Sequence, residues 1–221
     1  MSVRPTTPEE RRAFIRSQTA VIAPPLTPEI RLHLATEITP IWQATEATLD
    51  ASNLPPPYWA FAWPGGQALT RFLMDRRDWI RGKRVLDFAA GSGLSAIGAA
   101  LAGAARSIAN EIDDFAAEAI ALNAAINQAP VEVLRHDLIG RHEGWDVVLA
   151  GDVCYEKPMA DRVIPWLRAL AGKGVTVLIG DPGRAYLPAQ GLVEVACYDV
   201  PTTRELEDRD LRRTRVLRLM P

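Results

Sequence analysis

Asp87, Gly91, Gly93 and Glu111 stand at spacings suited to holding a charged nucleoside. Residues 84–94 read Arg-Val-Leu-Asp-Phe-Ala-Ala-Gly-Ser-Gly-Leu, and an apolar run leads to Ala109-Asn-Glu-Ile-Asp113. The order is a strand ending in an acid, a Gly-rich turn, a helix, and a second strand ending in an acid. Small residues let the backbone approach a ligand, and glycine adopts turn conformations that other residues resist. A carboxylate beside the turn repels a pyrophosphate, which needs bare N–H groups at a helix N-terminus. It attracts an ammonium or a sulfonium. The arrangement therefore suits a nucleoside with a positive charge and no phosphate, of which S-adenosylmethionine is the common example.

The glycines alone do not decide this. Gly91-x-Gly93-x-x-Ala96 also fits the dinucleotide fingerprint, and Glu111 lies near the distance expected of a ribose-binding acid. An NAD-dependent oxidoreductase stays open on the glycines and is disfavoured by Asp87. The absence of an evident Tyr-x-x-x-Lys pair or of a second domain also counts against it.

These residues need a sheet to position them. Strands are predicted over 84–89, 106–111, 131–135, 145–151 and 174–180, with helices over about 93–102, 114–127 and 158–171. Two extended segments, 192–200 and 213–219, are spaced for an antiparallel hairpin with a long loop. Alternating strands and helices predict an α/β fold with a mainly parallel sheet. In such a sheet ligands gather at the carboxyl ends of the strands, where the strand order reverses. Asp87, Glu111, Asp137, Asp152 and Asp181 all fall at predicted strand ends. For Asp137 and Asp181 the plain alternative is an acid that starts a loop or caps a helix.

Ahead of this unit, three Thr-Pro steps at 7–8, 27–28 and 39–40 predict short helices over 8–18, 28–35 and 40–49. Thr7 and Glu10 have capping-box spacing. Residues 1–57 are thus expected to form a helical N-terminal appendage and 58–221 the main domain. A turn is expected at 53–57 and a helix over 67–75. Trp59, Phe61 and Trp63 alternate before Pro64-Gly65-Gly66, and that sequence predicts a ligand-facing turn.

The chain has 221 residues, with 25 Lys and Arg against 27 Asp and Glu. The net charge of -2 argues against an electrostatic hold on nucleic acid. The sequence has no apolar run of transmembrane length and no signal-peptide core, so no membrane partner is expected. Cys154 and Cys197 lie far apart, and His33, His136 and His142 form no ligand cluster; no metal is expected, and the location expected is a reducing cytoplasm. Nothing predicts an obligate oligomer, so a monomer is expected.

The order of motifs resembles a class I, seven-stranded S-adenosylmethionine-dependent methyltransferase, and more narrowly methyltransferase family 16. Within that family, Pro57-Tyr-Trp-Ala-Phe-Ala-Trp-Pro-Gly-Gly-Gln-Ala-Leu69, Gly151-Asp-Val-Cys-Tyr155 and Leu178-Ile-Gly-Asp-Pro-Gly-Arg184 resemble the branch that methylates lysines of the electron transfer flavoprotein beta subunit. Leu26-Thr-Pro-Glu-Ile30 matches as well. The resemblance implies a Rossmann-like sheet, S-adenosylmethionine as methyl donor and that flavoprotein subunit as protein substrate. It implies that Asp87, Ala89 and the Gly91–Gly93 turn hold the methionyl end, and that Glu111 takes the ribose hydroxyls. Asp137 would accept from the adenine amino group. Trp63, Gly65 and Gly66 would close the pocket, and Asp152 and Tyr155 would stand where the target lysine enters. The chain departs from the family at Ala89, where glycine is usual, and at Cys154, where phenylalanine is usual.

The chemistry such a site must meet is the protonation of lysine. At pH 7 only about one free lysine in 2,500 is neutral and able to attack. An apolar channel and a nearby sulfonium lower the amine pKa, and water takes the proton, so no dedicated base is required. Asp152 then reads as a group that orients the amine. Tyr155 offers a ring face to a cation, with a core tyrosine as the plain alternative. Arg184 reads equally as a contact for an acidic patch on a substrate or as a helix cap. Residues 204–213 read as a solvated charged loop, with a docking surface for the protein substrate as the alternative. A methyltransferase for another protein, such as a ribosomal protein, and a non-catalytic S-adenosylmethionine-binding protein remain alternatives.

Overall fold

A computed structural model describes residues 5–36, 56–202 and 210–221. Among these, the chain forms α1 (Pro8–Gln18), β1 (Ala20–Ile22), β2 (Leu32–Leu34) and α2 (Pro64–Asp75). It continues through β3 (Arg84–Phe88), α3 (Leu94–Leu101), β4 (Arg106–Asn110), α4 (Asp114–Ile126) and β5 (Val131–Leu134). Then come β6 (Val147–Gly151), α5 (Lys157–Gly172), β7 (Thr176–Asp181), β8 (Leu192–Pro201) and β9 (Leu211–Leu219). Short 3₁₀ turns cover Tyr58–Ala60 and Arg77–Trp79.

Seven strands form one sheet in the order β5-β4-β3-β6-β7-β9-β8. All neighbours are parallel except β9, which runs antiparallel between β7 and β8. The strand order reverses between β3 and β6, because the chain builds outward through β4 and β5 and then returns to the other side of β3. The carboxyl ends of β3 and β6 therefore open a crevice.

The central strands are buried on both faces, and period-two alternation sorts their side chains. Leu86, Phe88, Val148 and Ala150 pack with Val163, Trp166 and Leu167 of α5. Val85, Val147, Leu149 and Leu178 pack with Ala68, Leu69, Phe72 and Leu73 of α2 on the opposite face. Asp87 shares the face of Val85. That alternation aims an acid at the helix α2 and α3 side of the sheet.

The five predicted sheet strands, the three helices between them and the terminal hairpin all form within two residues of their expected bounds. The first Thr-Pro step also behaves as expected: Thr7 and Glu10 make a reciprocal capping box on α1. The second does not. Residues 28–35 form a turn, closed by Ile30 N–H on Thr27 O at 3.1 Å, and then strand β2, paired antiparallel with β1. Ile30, Leu32 and Leu34 are all buried against Leu94 and Ile97, a spacing of two that suits a strand and not a helix. The helix expected at 40–49 lies outside the described residues.

Helix α1 is fastened to α4. Arg12 pairs with Glu118 at 2.6 Å, Arg11 with Asp114 at 2.8 Å, and Phe14 meets Phe115 edge-on.

Candidate active site

Asp87 is the next-to-last residue of β3 and is 3 % exposed. One of its oxygens accepts the Ala96 N–H, in the first turn of α3, at 2.9 Å. Burial pushes its carboxyl up to about 8, against the pull of that N–H and with a further push from Glu111. The turn after it runs through left-handed conformations at Ala89 (φ 53°), Gly91 (φ 53°) and Gly93 (φ 78°). A Cβ at Gly93 would come within 2.9 Å of Ile120, so glycine is required there by packing as well as by backbone. Nothing crowds Gly91, whose free side lies open. Ala89 carries a left-handed backbone that costs an alanine roughly 1–2 kcal/mol.

Glu111 follows β4 and folds back onto the turn. Its Oε2 accepts the Gly91 N–H at 3.0 Å, and its Oε1 accepts from Ile112 and Asp113 at 2.8 and 3.1 Å. Burial raises its carboxyl pKa, opposed by these three backbone bonds. Buried Asn123 ties the turn down, donating to Ser92 O at 2.9 Å and accepting the His33 N–H at 2.8 Å.

Asp87, Ala89, Gly91, Gly66, Trp63 and Asp152 line one cleft, together with Phe61 and Ser92. The switch point thus brings the expected methionyl-end residues and the expected lysine-side acid into one space. Pro64, Gly65 and Gly66 are not a turn, however; they form the first turn of α2. Gly65 points away from the cleft, toward the ends of β6 and β7. A Cβ at Gly65 or at Gly180 would collide with the other's backbone, and one at Gly151 would reach Gly66 N at 3.0 Å. Three glycines from three elements therefore let the helix end seat on the sheet, and Gly65 serves this packing.

Asp152 adopts φ 57°, and its N–H donates to Gly180 O at 2.9 Å. Its Oδ1 accepts from Arg184 Nη2 at 2.8 Å and Nε at 3.2 Å, and its Oδ2 accepts the Gly66 N–H at 3.3 Å. The side chains of this pair are only 11 % and 16 % exposed. Arg184 is aimed by Asp181, whose Oδ1 accepts the N–H groups of Gly183 and Arg184 at 2.6 and 2.7 Å. The Arg184 guanidinium also lies 5.8 Å from the Trp63 ring centroid. Arg184 thus neither caps a helix nor stands out from the surface as a lone cation; it closes onto the site. Its type and place could be read from the sequence, but its direction depends on the Asp181 turn.

Tyr155 is 39 % exposed and continues an aromatic chain. Its ring meets Tyr58 edge-on at 5.7 Å, Tyr58 meets Trp63 at 6.0 Å, and Trp63 meets Phe61 at 5.8 Å. Trp63 Nε1 donates to Tyr58 O at 2.9 Å, which fixes the corner. Burial, with lesser pushes from Tyr58, Glu156 and Glu111, raises the Tyr155 hydroxyl to about 12, so it stays protonated. Burial and the acids Asp181 and Asp152 push the Cys154 thiol to about 12, which removes it as a nucleophile.

Asp137 is not brought into this group. It lies beyond the end of β5, half exposed, and pairs with Arg162 of α5 at 2.7 Å while accepting the Ile139 N–H at 2.9 Å. That N–H, and after it Arg162, hold its carboxyl below the usual range.

Comparison with known proteins agrees with this geometry. Residues 69–153 match the model of the ribosomal protein L11 methyltransferase (PrmA) family. The chain is 44 % identical over 177 residues to the electron transfer flavoprotein beta subunit lysine methyltransferase of Xenopus laevis, covering 79 % of this chain and 71 % of that protein. The Homo sapiens protein of the same name is 42 % identical, with 79 % and 67 % covered, and the Danio rerio one is 37 % identical, with 95 % and 83 % covered. In fold, the chain is similar to magnesium protoporphyrin IX methyltransferase from Synechocystis PCC 6803, solved with bound SAM, at a TM-score of 0.55 and 14 % identity over 82 % of this chain and 88 % of that one. A ribosomal protein L11 methylase from Lactobacillus delbrueckii subsp. bulgaricus superposes at 0.51 with 16 % identity, covering 73 % and 81 %.

Proposed function

The chain belongs to the family of electron transfer flavoprotein beta subunit lysine methyltransferases, and from that premise we propose that it transfers methyl groups from S-adenosylmethionine to lysines of such a beta subunit. The substrate rests on the relatives' names. The chemistry rests on one observation: a fully buried carboxylate, Asp87, lines the switch-point cleft with its charge disfavoured by burial. A cationic ligand offsets that cost, whereas a phosphate would add to it.

Asp87 fits the positive methionyl end, and the open side of Gly91 lets the ligand approach the backbone. Glu111 holds two oxygens beside the turn and suits the ribose hydroxyls. Asp137 would serve the adenine only by sharing its carboxylate with Arg162. Trp63 and Gly66 form the opposite wall. Bound there, S-adenosylmethionine supplies an electrophilic methyl carbon: its C–S bond breaks with the electron pair left on sulfur as the amine lone pair forms the new C–N bond.

The rest falls to the chain's own residues. Tyr58, Trp63 and Tyr155 form an aromatic wall against which the aliphatic stem of the lysine can pack. Asp152 sits where that wall meets the cleft and accepts an N–H of the amine, aligning its lone pair. Alignment of this kind is worth several kcal/mol, on the order of half the barrier reduction available from proximity. The proton shed beforehand by the lysine ammonium leaves to water. Cys154 is buried, Cys197 is half-buried and both are free, which suits the reducing cytoplasm we propose for the reaction.

The ribosomal-protein alternative draws on the match over 69–153. That stretch runs from α2 to the Gly-Asp-Val turn and so concerns methyl-donor binding more than the acceptor. Incubation with methyl-labelled S-adenosylmethionine and two acceptors, purified electron transfer flavoprotein and ribosomal protein L11, separates the readings. Label is expected in the flavoprotein beta subunit; label in L11 alone would contradict the proposal.

A further inference from the structure

The Asp152–Arg184 pair raises a chemical question. A buried, unpaired carboxylate at the entrance of an amine would hold lysine as ammonium, raising its pKa and keeping it from attack. Here the carboxylate is already matched. Two guanidinium N–H groups reach Oδ1, the Gly66 N–H reaches Oδ2, and both side chains are largely buried. Arginine is the cation suited to this task. It keeps its proton at any working pH, so it cannot itself act as an acid or base, and its planar fork grips a carboxylate in a fixed plane. Lone pairs on a neutralised carboxylate still accept an N–H from a neutral amine.

The scaffold around Arg184 fixes its direction. Asp181 Oδ1 takes the Gly183 and Arg184 N–H groups, turning the chain back toward β6. Trp63 lies beneath the guanidinium and also lines the cleft. The arrangement joins the end of β7, the end of β6 and the residue preceding α2.

We propose that Arg184 is a positioning residue that neutralises Asp152, so that Asp152 orients the target amine without holding it protonated. This inference rests on the lysine methyltransferase reading. Its signature is a change in pH dependence, because the amine pKa in the complex depends on the net charge of the pair.

The test is the single-turnover rate of methyl transfer to the flavoprotein beta subunit from pH 6.5 to 10, for wild type, Arg184→Met, Arg184→Lys and Asp152→Asn. Arg184→Met takes the guanidinium charge away from the Asp152 carboxylate. Its acid limb should move up by about one pH unit or more, giving roughly ten-fold less activity at pH 7 and convergence with wild type at high pH. Arg184→Lys keeps the charge and should keep the limb near its wild-type place. Asp152→Asn removes the negative charge from beside the guanidinium, and its limb should move the other way, which keeps the test decisive if Arg184→Met does not fold. An independent readout is the affinity of the S-adenosylhomocysteine-loaded protein for the beta subunit at pH 7, expected to tighten in Arg184→Met, which then favours the ammonium. A drop by the same factor at every pH, or no change at any pH, with folding intact, would overturn the role of Arg184. Absence of transfer by the wild type would instead overturn the substrate assignment.

Discussion

The buried Asp87 lines the cleft in which a cation would be held under the proposed function. The Asp87 carboxyl is raised from an ordinary value of about 3.9 to about 8. The folded chain therefore holds this proton more tightly than the unfolded chain, and stability from this group falls as pH rises from about 4 to about 8. A cationic ligand reverses the balance and expels the proton. Asp87→Asn should make the ligand-free protein more stable at pH 8, by about 1–3 kcal/mol, while weakening S-adenosylmethionine binding. In the wild type, affinity should rise with pH between 6 and 8, and calorimetry in buffers of differing ionisation enthalpy reads the released proton. Affinity that stays flat across that window would count against Asp87 as the cation site. Asp87, Glu111 and Asp152 were legible because each acid ends an apolar run, and a strand end fixes where it must sit. Asp137 was less so, since two residues, Arg135 and His136, separate it from β5 and let it turn to Arg162. The role of Arg184 was hidden because its direction is set by the Asp181 turn and not by the strand.

At the level of elements, the site depends on how closely α2 approaches the sheet. Gly65 and Gly180 meet backbone to backbone, and the Asp152 N–H bonds to Gly180 O in the same place. Gly65→Ala must push the helix end off β7 and disturb Asp152. Overpacking of this kind should cost about 1–3 kcal/mol, read as a lower urea midpoint with an unchanged slope. Activity should fall further than stability, because alignment at Asp152 is lost. A variant with wild-type stability and turnover would mean that the close approach is dispensable. Here the sequence was informative about type and misleading about shape: Pro64-Gly-Gly reads as a turn, yet proline suits the first helical position and the glycines serve a tight contact. The Thr27-Pro28 step misled in the opposite way. The Thr27 hydroxyl, buried and without a hydrogen-bond partner among the described residues, caps nothing, and burial of Ile30, Leu32 and Leu34 on a spacing of two draws the chain into β2.

Across the whole molecule, one of the ties between the segment before the main sheet and the sheet itself runs through a buried acid. Glu118 on α4 is 1 % exposed and pairs with Arg12 of α1 and Arg135, just past β5. Burial pushes its carboxyl up, but the two arginines outweigh this and hold it below the usual range. Its contribution is therefore present above the ordinary glutamate value of about 4.3 and lost as pH falls through the lower folded value. Glu118→Gln removes the anion between two arginines that are themselves about two-fifths exposed, and should cost roughly 1–3 kcal/mol at neutral pH. Hydrogen exchange should then rise first in α1, over residues 8–18; uniform exchange across the sheet would show that α1 is held by other contacts. The mainly parallel α/β sheet was legible from the alternation of strands and helices, and its seven strands from the family resemblance, whereas this tether was not, because Arg12, Glu118 and Arg135 meet only after folding. The central claim spans the same scale, since methyl donor, lysine and protein substrate must converge on one cleft. The most direct measurement is the intact mass of the electron transfer flavoprotein beta subunit after incubation with S-adenosylmethionine and either wild type or Asp152→Ala. Added methyl groups on lysines are expected with the wild type and an unmodified subunit with the variant, both proteins binding S-adenosylmethionine alike. An unmodified subunit with the wild type, or equal methylation by both, would contradict the central claim.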